Sequence, residues 1–372
     1  MQVKKAIQSA KAIVKREGVM VIALVLAVLT SFFNMPRVEY IDFKVLTVLF
    51  SLMLVITGFK QNKLLDYIAL RILRKTGSSR SLYLLFIFMT FFASMLITND
   101  VALLTFVPLT LIIGKNIHRD MAKMVIWETI AANLGSAFTP MGNPQNLFLY
   151  ARYNFTAGEF FATTLPLVVF SALMLGVLAA REGKAAIALE LSTTAFGHKV
   201  NYYLFVLLLG VNILAVFQVL NYYLAFLLTA GVVAAVSPRL FKQVDYTLLL
   251  TFVGFFVFIG NISTFSFVKP LKQYMLNSPE GVYLSGILVS QFVSNVPAAM
   301  LLAGFTERGR ELVLGVNVGG LGTLIASMAS VISYKLYAEN SLGQSGNYLR
   351  QFLFYNFFFL IILAPLVWLV RI

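Results

Sequence analysis

Two polar tripeptides, Thr98-Asn99-Asp100 and Ser294-Asn295-Val296, stand inside otherwise apolar sequence. The first separates the runs 82–97 and 101–114. Each run is shorter than the roughly 20 residues that cross the hydrocarbon at ~1.5 Å per residue. A charge at the bilayer centre costs about 2.5–3.5 kcal/mol on insertion scales, so an intramembrane Asp reads as functional. The tripeptide is expected at the tip of a re-entrant hairpin, with Asn99 and Asp100 lining a substrate or ion cavity. Three roles are open to Asp100: carrying a proton, ligating sodium, or capping the helix that begins at Val101. Asn99, Asp100 and Asn295 together offer oxygens to Na+. Asn99 and Asn295 could also serve as interhelical hydrogen-bonding glue.

A second kind of interruption lies downstream of each tripeptide. One runs from Asn133-Leu134-Gly135-Ser136 through Thr139-Pro140-Met141-Gly142-Asn143-Pro144 to Asn146. The other runs from Asn317-Val318-Gly319-Gly320-Leu321-Gly322-Thr323 to Ser327. Proline and glycine break the helical ladder, and non-helical backbone at membrane depth is tolerated only inside protein or along a cavity. Such breaks build ion and anion sites, because half-helix N-termini attract anions and freed carbonyls bind cations. Substrate binding is therefore expected at Asn99, Ser136, Thr139, Asn143, Ser294, Asn295, Asn317, Thr323 and Ser327. Ion coupling is expected at Thr98, Asp100, Asn133, Gly135, Gly142 and Gly319. Sodium would use carbonyls freed over 135–143 and 319–327. No Lys or Arg is expected to reach this site. Glu128 is expected at the interface, near the start of its span.

The elements that must position these residues are membrane helices. Of 372 residues, 59% are hydrophobic and 12% charged. Mean hydropathy is +0.86, and a soluble domain carries about twice that charge. The apolar blocks are continuous, which excludes a barrel of alternating strands. The fold expected is an all-α polytopic membrane protein with about nine full spans, two opposed re-entrant hairpins and two broken helices. There is no cysteine, so disulfides and thiolate metal sites are excluded. His118 and His198 fall in predicted loops, and no metal cofactor is assigned. The net charge of +14 sits between apolar blocks as a topology signal, so nucleic acid is not a partner. Surface helices are expected over 60–80 and 264–276.

The chain reads as an inverted repeat: a lead-in over 1–18, a first repeat over 19–180, a linker with an unpaired span over 181–221, and a second repeat over 222–372. Asn99 pairs with Asn295, 196 positions on (295 − 99), and Asn133 pairs with Asn317, 184 positions on (317 − 133). The unpaired span turns the second repeat over, so the two tips enter from opposite sides and meet near the midplane. The positive-inside rule puts the N-terminus in the cytoplasm and the C-terminus outside, in the plasma membrane (the inner membrane of a bacterium).

The runs LITNDVALLTFVPLTL, ANLGSAFTPMGNPQNLFL, SQFVSNVPAAMLL and VNVGGLGTLIASMAS resemble the ion transporter superfamily. They look closest to its arsenite permease and sodium/proton antiporter branch, related to the citrate and dicarboxylate/sodium symporters. The resemblance implies an inverted-repeat transporter, a homodimer as in many members, and elevator-like movement of a transport unit against a scaffold. In dicarboxylate members both tips read Ser-Asn-Thr; here the third positions are Asp100 and Val296.

The function expected is secondary active transport of a small anion, a carboxylate or oxyanion, coupled to H+ or Na+. A Na+/H+ antiporter with no anionic substrate is the alternative, and a non-transporting membrane scaffold a further one. No nucleophile–base pair or metal cluster points to an enzyme.

Overall fold

The computed structural model describes residues 17–62, 69, 71, 73, 77–186, 199–263, 265, 276–340 and 345–371. The lead-in over 1–16, His198 and most of both expected surface helices lie outside these residues. Among the described residues the chain is helical, with no named strand. Helices α1 (Gly18–Ser31), α2 (Phe43–Gln61) and α3 (Ser79–Ile97) are followed by α4 (Asn99–Asn116), α5 (Ala122–Ser136), α6 (Pro144–Arg152) and α7 (Ala157–Ala180). Then come α8 (Lys199–Val216), α9 (Tyr222–Val236), α10 (Tyr246–Ile262), α11 (Pro279–Val293) and α12 (Asn295–Ala303). The last are α13 (Gly309–Gly319), α14 (Met328–Asn340) and α15 (Ser345–Arg371). Among the described residues, four stretches, Phe43–Gln61, Ser79–Ile97, Ala157–Ala180 and Gly346–Val370, are long and apolar enough to cross a membrane.

Local chemistry sets the helix ends. Asp42 and Asp245 are the N-caps of α2 and α10, accepting from the N–H groups of Val45 and Leu248, each at 3.0 Å. Thr156 and Glu159 form a reciprocal capping box at the start of α7. Pro144 occupies the first turn of α6, where its missing N–H costs nothing.

Both hairpins return to the end they leave. Arg119, just beyond α4, donates to the Ser79 hydroxyl at the start of α3 at 3.4 Å. In the second hairpin the Thr306 hydroxyl donates to the Leu276 carbonyl at 3.3 Å and Arg308 to the Asn277 carbonyl at 3.0 Å. The two hairpins open at opposite ends of the molecule. Helix α7 spans between them: Glu159 near its start pairs with Arg310 at 3.6 Å, and Glu182 just past its end pairs with Lys123. The limbs of the first hairpin are longer than the sequence suggests, because helix continues through the basic flanks to Ser79 and Asn116.

Each hairpin packs its first limb on the leading half of its own broken helix, α3 on α5 and α11 on α13. Each second limb packs on the trailing half of the other broken helix, α4 on α14 and α12 on α6. Glycine permits the closest crossings, the way membrane helices gain van der Waals contact in a solvent as apolar as their side chains. A Cβ on Gly286 would sit 3.0 Å from the Gly315 backbone. Helices α1, α2, α8, α9 and α10 flank this assembly, with α10 on α1, and α8 and α9 on α2.

Candidate functional site

The hairpin tips are single residues. Thr98 joins α3 to α4 with φ 72° and ψ 151°, and Ser294 joins α11 to α12 with φ 76° and ψ 154°. This region is essentially reserved for glycine and costs a side-chain-bearing residue about 1–3 kcal/mol. Both tips therefore hold the same strained backbone. That geometry lets an apolar helix end and another begin within one residue, aiming two helix N-termini at the interior.

Asp100 is not the cap of α4. The helix begins at Asn99, and Asp100 lies in its first turn, where the macrodipole favours negative charge. Its own N–H lies 3.0 Å from Asn99 Oδ1. Its Oδ1 is buried and has no hydrogen-bond partner among the described residues.

The helix breaks supply the centre. Asn133 Oδ1 accepts from Asn99 Nδ2 at 3.2 Å and from Ser327 Oγ at 2.9 Å, which ties the first tip to the second break. Asn133 Nδ2 reaches the Gly320 carbonyl and Ser330 Oγ, each at 3.4 Å. Asn143 caps α6 through the Asn146 N–H at 2.9 Å and donates to Ser136 Oγ at 3.1 Å and Asn317 Oδ1 at 3.2 Å. Asn317 Nδ2 donates to Asn146 Oδ1 at 2.7 Å. Asn295 Nδ2 lies 2.9 Å from where a Cβ on Gly320 would stand. Ser136 Oγ donates to the Asn133 carbonyl at 2.9 Å, so Asn99, Asn133, Ser136, Asn143, Asn317 and Ser327 are one buried network, and Asn295 borders it.

The remaining expected residues hold the breaks against the hairpins. Thr139 Oγ1 donates to the Met95 carbonyl, and Thr323 Oγ1 to the Gln291 carbonyl at 2.9 Å. Met95 and Gln291 each stand four positions before their tip Asn, so the same bond recurs in both halves. The glycines are close-approach points: a Cβ would come within 2.2 Å of the Phe91 carbonyl oxygen at Gly135 and of the Ser136 oxygen at Gly142, and within 2.9 Å of the Gly286 oxygen at Gly319. Ser294 Oγ lies 3.5 Å from Asn295 Oδ1.

A cavity of about 450 Å³ reaches Thr98, Asp100 and Asn143. Its walls are largely apolar, including Leu52, Met53, Ile56, Leu104 and Leu147, and Lys60, Gln243 and Asp245 also line it. The expectation that no basic residue reaches the site is therefore corrected. Lys60 lies far from the tips in sequence, yet it lines the same cavity as Asp100. Asp245, the cap of α10, adds a second carboxylate. A second cavity of about 390 Å³ lies by the other end of α2, lined by Asp42, Arg152, Phe256, Met300 and Gly304.

Two residues escape motif reading. Gln291 is a lone amide in an apolar limb, and its Nε2 donates to the carbonyls of Ile287, Gly319 and Leu321 at 3.2, 2.9 and 2.9 Å. The only signal for it was polarity where its repeat partner is Met95. Glu128 is not interfacial: it is fully buried, with Oε1 accepting from Thr110 Oγ1 at 2.8 Å. Helix α5 starts at Ala122 and packs against α3, α4, α7, α14 and α15, which puts Glu128 in protein rather than at a headgroup.

The citrate transporter family model matches residues 6–307. An uncharacterized transporter of Methanocaldococcus jannaschii is 35% identical over 323 residues, covering 86% of this chain and 88% of that protein. The inner membrane protein YbiR of Escherichia coli is 29% identical over 311 residues, 80% of each chain. A 46 kDa membrane protein of Mycobacterium leprae is 23% identical over 337 residues, 80% of this chain and 79% of that protein.

Proposed function

The chain belongs to the citrate transporter family, and on that premise we propose that this multi-pass membrane transporter moves a small anion, a carboxylate or oxyanion, coupled to H+ or Na+. The observation that carries the reading is the convergence of the first tip and both helix breaks on the Asn133–Asn143–Asn317 network, with Asn295 bordering it, beside the cavity that holds Asp100. The N-terminus of α6 ends at Asn143 on that cavity and offers an anion its dipole. Lys60 in the cavity lining gives an anion an attractive approach. Asp100 is the coupling group.

Alternating access moves the hairpins and broken helices together against α1, α2 and α8–α10. The two cavities at opposite ends of α2 support this reading: one reaches the site, and the other is its counterpart on the far side. The protein sits in the plasma membrane with its N-terminus in the cytoplasm, and it works as a homodimer.

The test is uptake into proteoliposomes under an imposed H+ or Na+ gradient, with citrate, succinate, sulfate and arsenite as candidates. Gradient-dependent uptake of one of them is the expected result. The second reading, a Na+/H+ antiporter without an anion, is favoured by the two carboxylates Asp100 and Asp245 in one cavity. It requires that added Na+ dissipate a pH gradient with no anionic substrate present.

A further inference from the structure

A broken membrane helix is a cation site when its freed carbonyls lack donors. Here both breaks have donors of their own. In the first, Asn146 Nδ2 faces the carbonyls of Ser136, Ala137 and Thr139 at 3.3, 3.2 and 3.2 Å. In the second, Gln291 Nε2 faces those of Gly319 and Leu321, together with the Ile287 carbonyl of its own helix. Each is an NH2 group set among three oxygens, with its partial positive charge where a small monovalent cation would find its ligands.

The amide orientations are fixed by their other ends. Asn146 Oδ1 accepts from Asn317 Nδ2 at 2.7 Å, and Gln291 Oε1 accepts from the Thr323 N–H at 2.9 Å. The two amides are not repeat partners. Asn146 comes from the trailing half of its own broken helix, whereas Gln291 reaches in from the hairpin. At the reciprocal positions stand Ser330, whose Oγ accepts from Asn133, and Met95, whose thioether cannot donate. Each half thus reaches the same arrangement by a different residue. Other backbone oxygens nearby are also engaged: Gly142 by the Asn99 N–H at 3.0 Å and Gly320 by Asn133 Nδ2 at 3.4 Å.

We propose that Asn146 and Gln291 are built-in substitutes for bound Na+, so that the helix breaks of this transporter select against sodium. Ion coupling then falls to Asp100, whose Oδ1 has no partner among the described residues. This last step rests on the transport reading above; the exclusion of Na+ does not.

The test uses the purified full-length chain in detergent without substrate. Thermal unfolding is followed as NaCl replaces choline chloride at constant ionic strength and pH 8. The wild type is expected to show no Na+-specific stabilisation beyond any that Asp100→Asn removes. Gln291→Glu sets a carboxylate oxygen against three carbonyls, a repulsion that a cation relieves. It is expected to gain a saturable, Na+-specific rise in Tm of about 2 °C or more, and Asn146→Asp to behave likewise. A saturable Na+-specific stabilisation that persists in Asp100→Asn would overturn the proposal, whatever the other variants do. So would a monodisperse Gln291→Glu protein with the sodium response of the wild type. Because no substrate is present, failure here leaves the uptake test standing, and failure of uptake leaves this result standing.

Discussion

Asn143 Nδ2 lies 3.2 Å from Asn317 Oδ1, and this buried hydrogen bond joins the two helix breaks. Asn143 also caps α6, and Asn317 also holds Asn146, so this contact couples the start of α6 to the end of α13. Asn143→Ala removes the cap and strands Asn317 Oδ1, while Ser136 Oγ keeps its bond to the Asn133 carbonyl. A lost cap costs about 0.5–2 kcal/mol, and a stranded buried group about 1–3 kcal/mol. The expected outcome is a lowered Tm together with loss of uptake, checked by thermal unfolding and proteoliposome assay on the same preparation.

Thr98 and Ser294 share a backbone region that suits glycine, at φ 72° and 76°. Thr98→Gly and Ser294→Gly relieve strain of about 1–3 kcal/mol against a glycine entropy cost of about 0.5–1 kcal/mol. Both variants are expected to hold or raise Tm. Thr98→Pro, which forces φ to about −65°, is expected to destabilise the tip. Equal Tm values for the Gly and Pro variants would contradict the strain.

Gly135 and Gly142 are packing limits. An added Cβ meets a carbonyl oxygen at 2.2 Å in each case, whereas nothing lies within 4 Å of one at Gly158. Gly135→Ala and Gly142→Ala are expected to cost about 1–3 kcal/mol by overpacking, with Gly158→Ala as the neutral control. Thermal unfolding of the three variants side by side separates them.

Lys60 lines the cavity and is exposed, so its attraction for an anion is modest. Lys60→Gln is expected to raise KM about fivefold at low salt with little change in the maximal rate. The difference should shrink as ionic strength rises toward a Debye length of about 8 Å. A KM unchanged at low salt would remove Lys60 from the approach path.

The tips and breaks were legible because membrane chemistry is unforgiving. Lipid does not tolerate Asn99, Asp100 or Asn295 without a protein-lined purpose, and Pro140 and Pro144 cannot continue a helix. What stayed hidden were contacts between distant segments. Nothing in the sequence near Lys60 says that it lines the same cavity as Asp100. Glu128 looked peripheral from its place in the chain, yet it is fully buried in a helix surrounded by other helices. Gln291 reads as an isolated polar residue until its amide is seen against Ile287, Gly319 and Leu321. Asp100 was open to reading as a helix cap because the start of α4 differs by two residues between the sequence pattern and the fold.

The central claim is that Asp100 couples transport to an ion gradient. Asp100→Asn keeps the size of the side chain and removes its charge. In proteoliposomes this variant is expected to lose gradient-driven accumulation while retaining substrate exchange at equilibrium. Accumulation by the variant at the wild-type rate, under the same imposed gradient, would contradict the account.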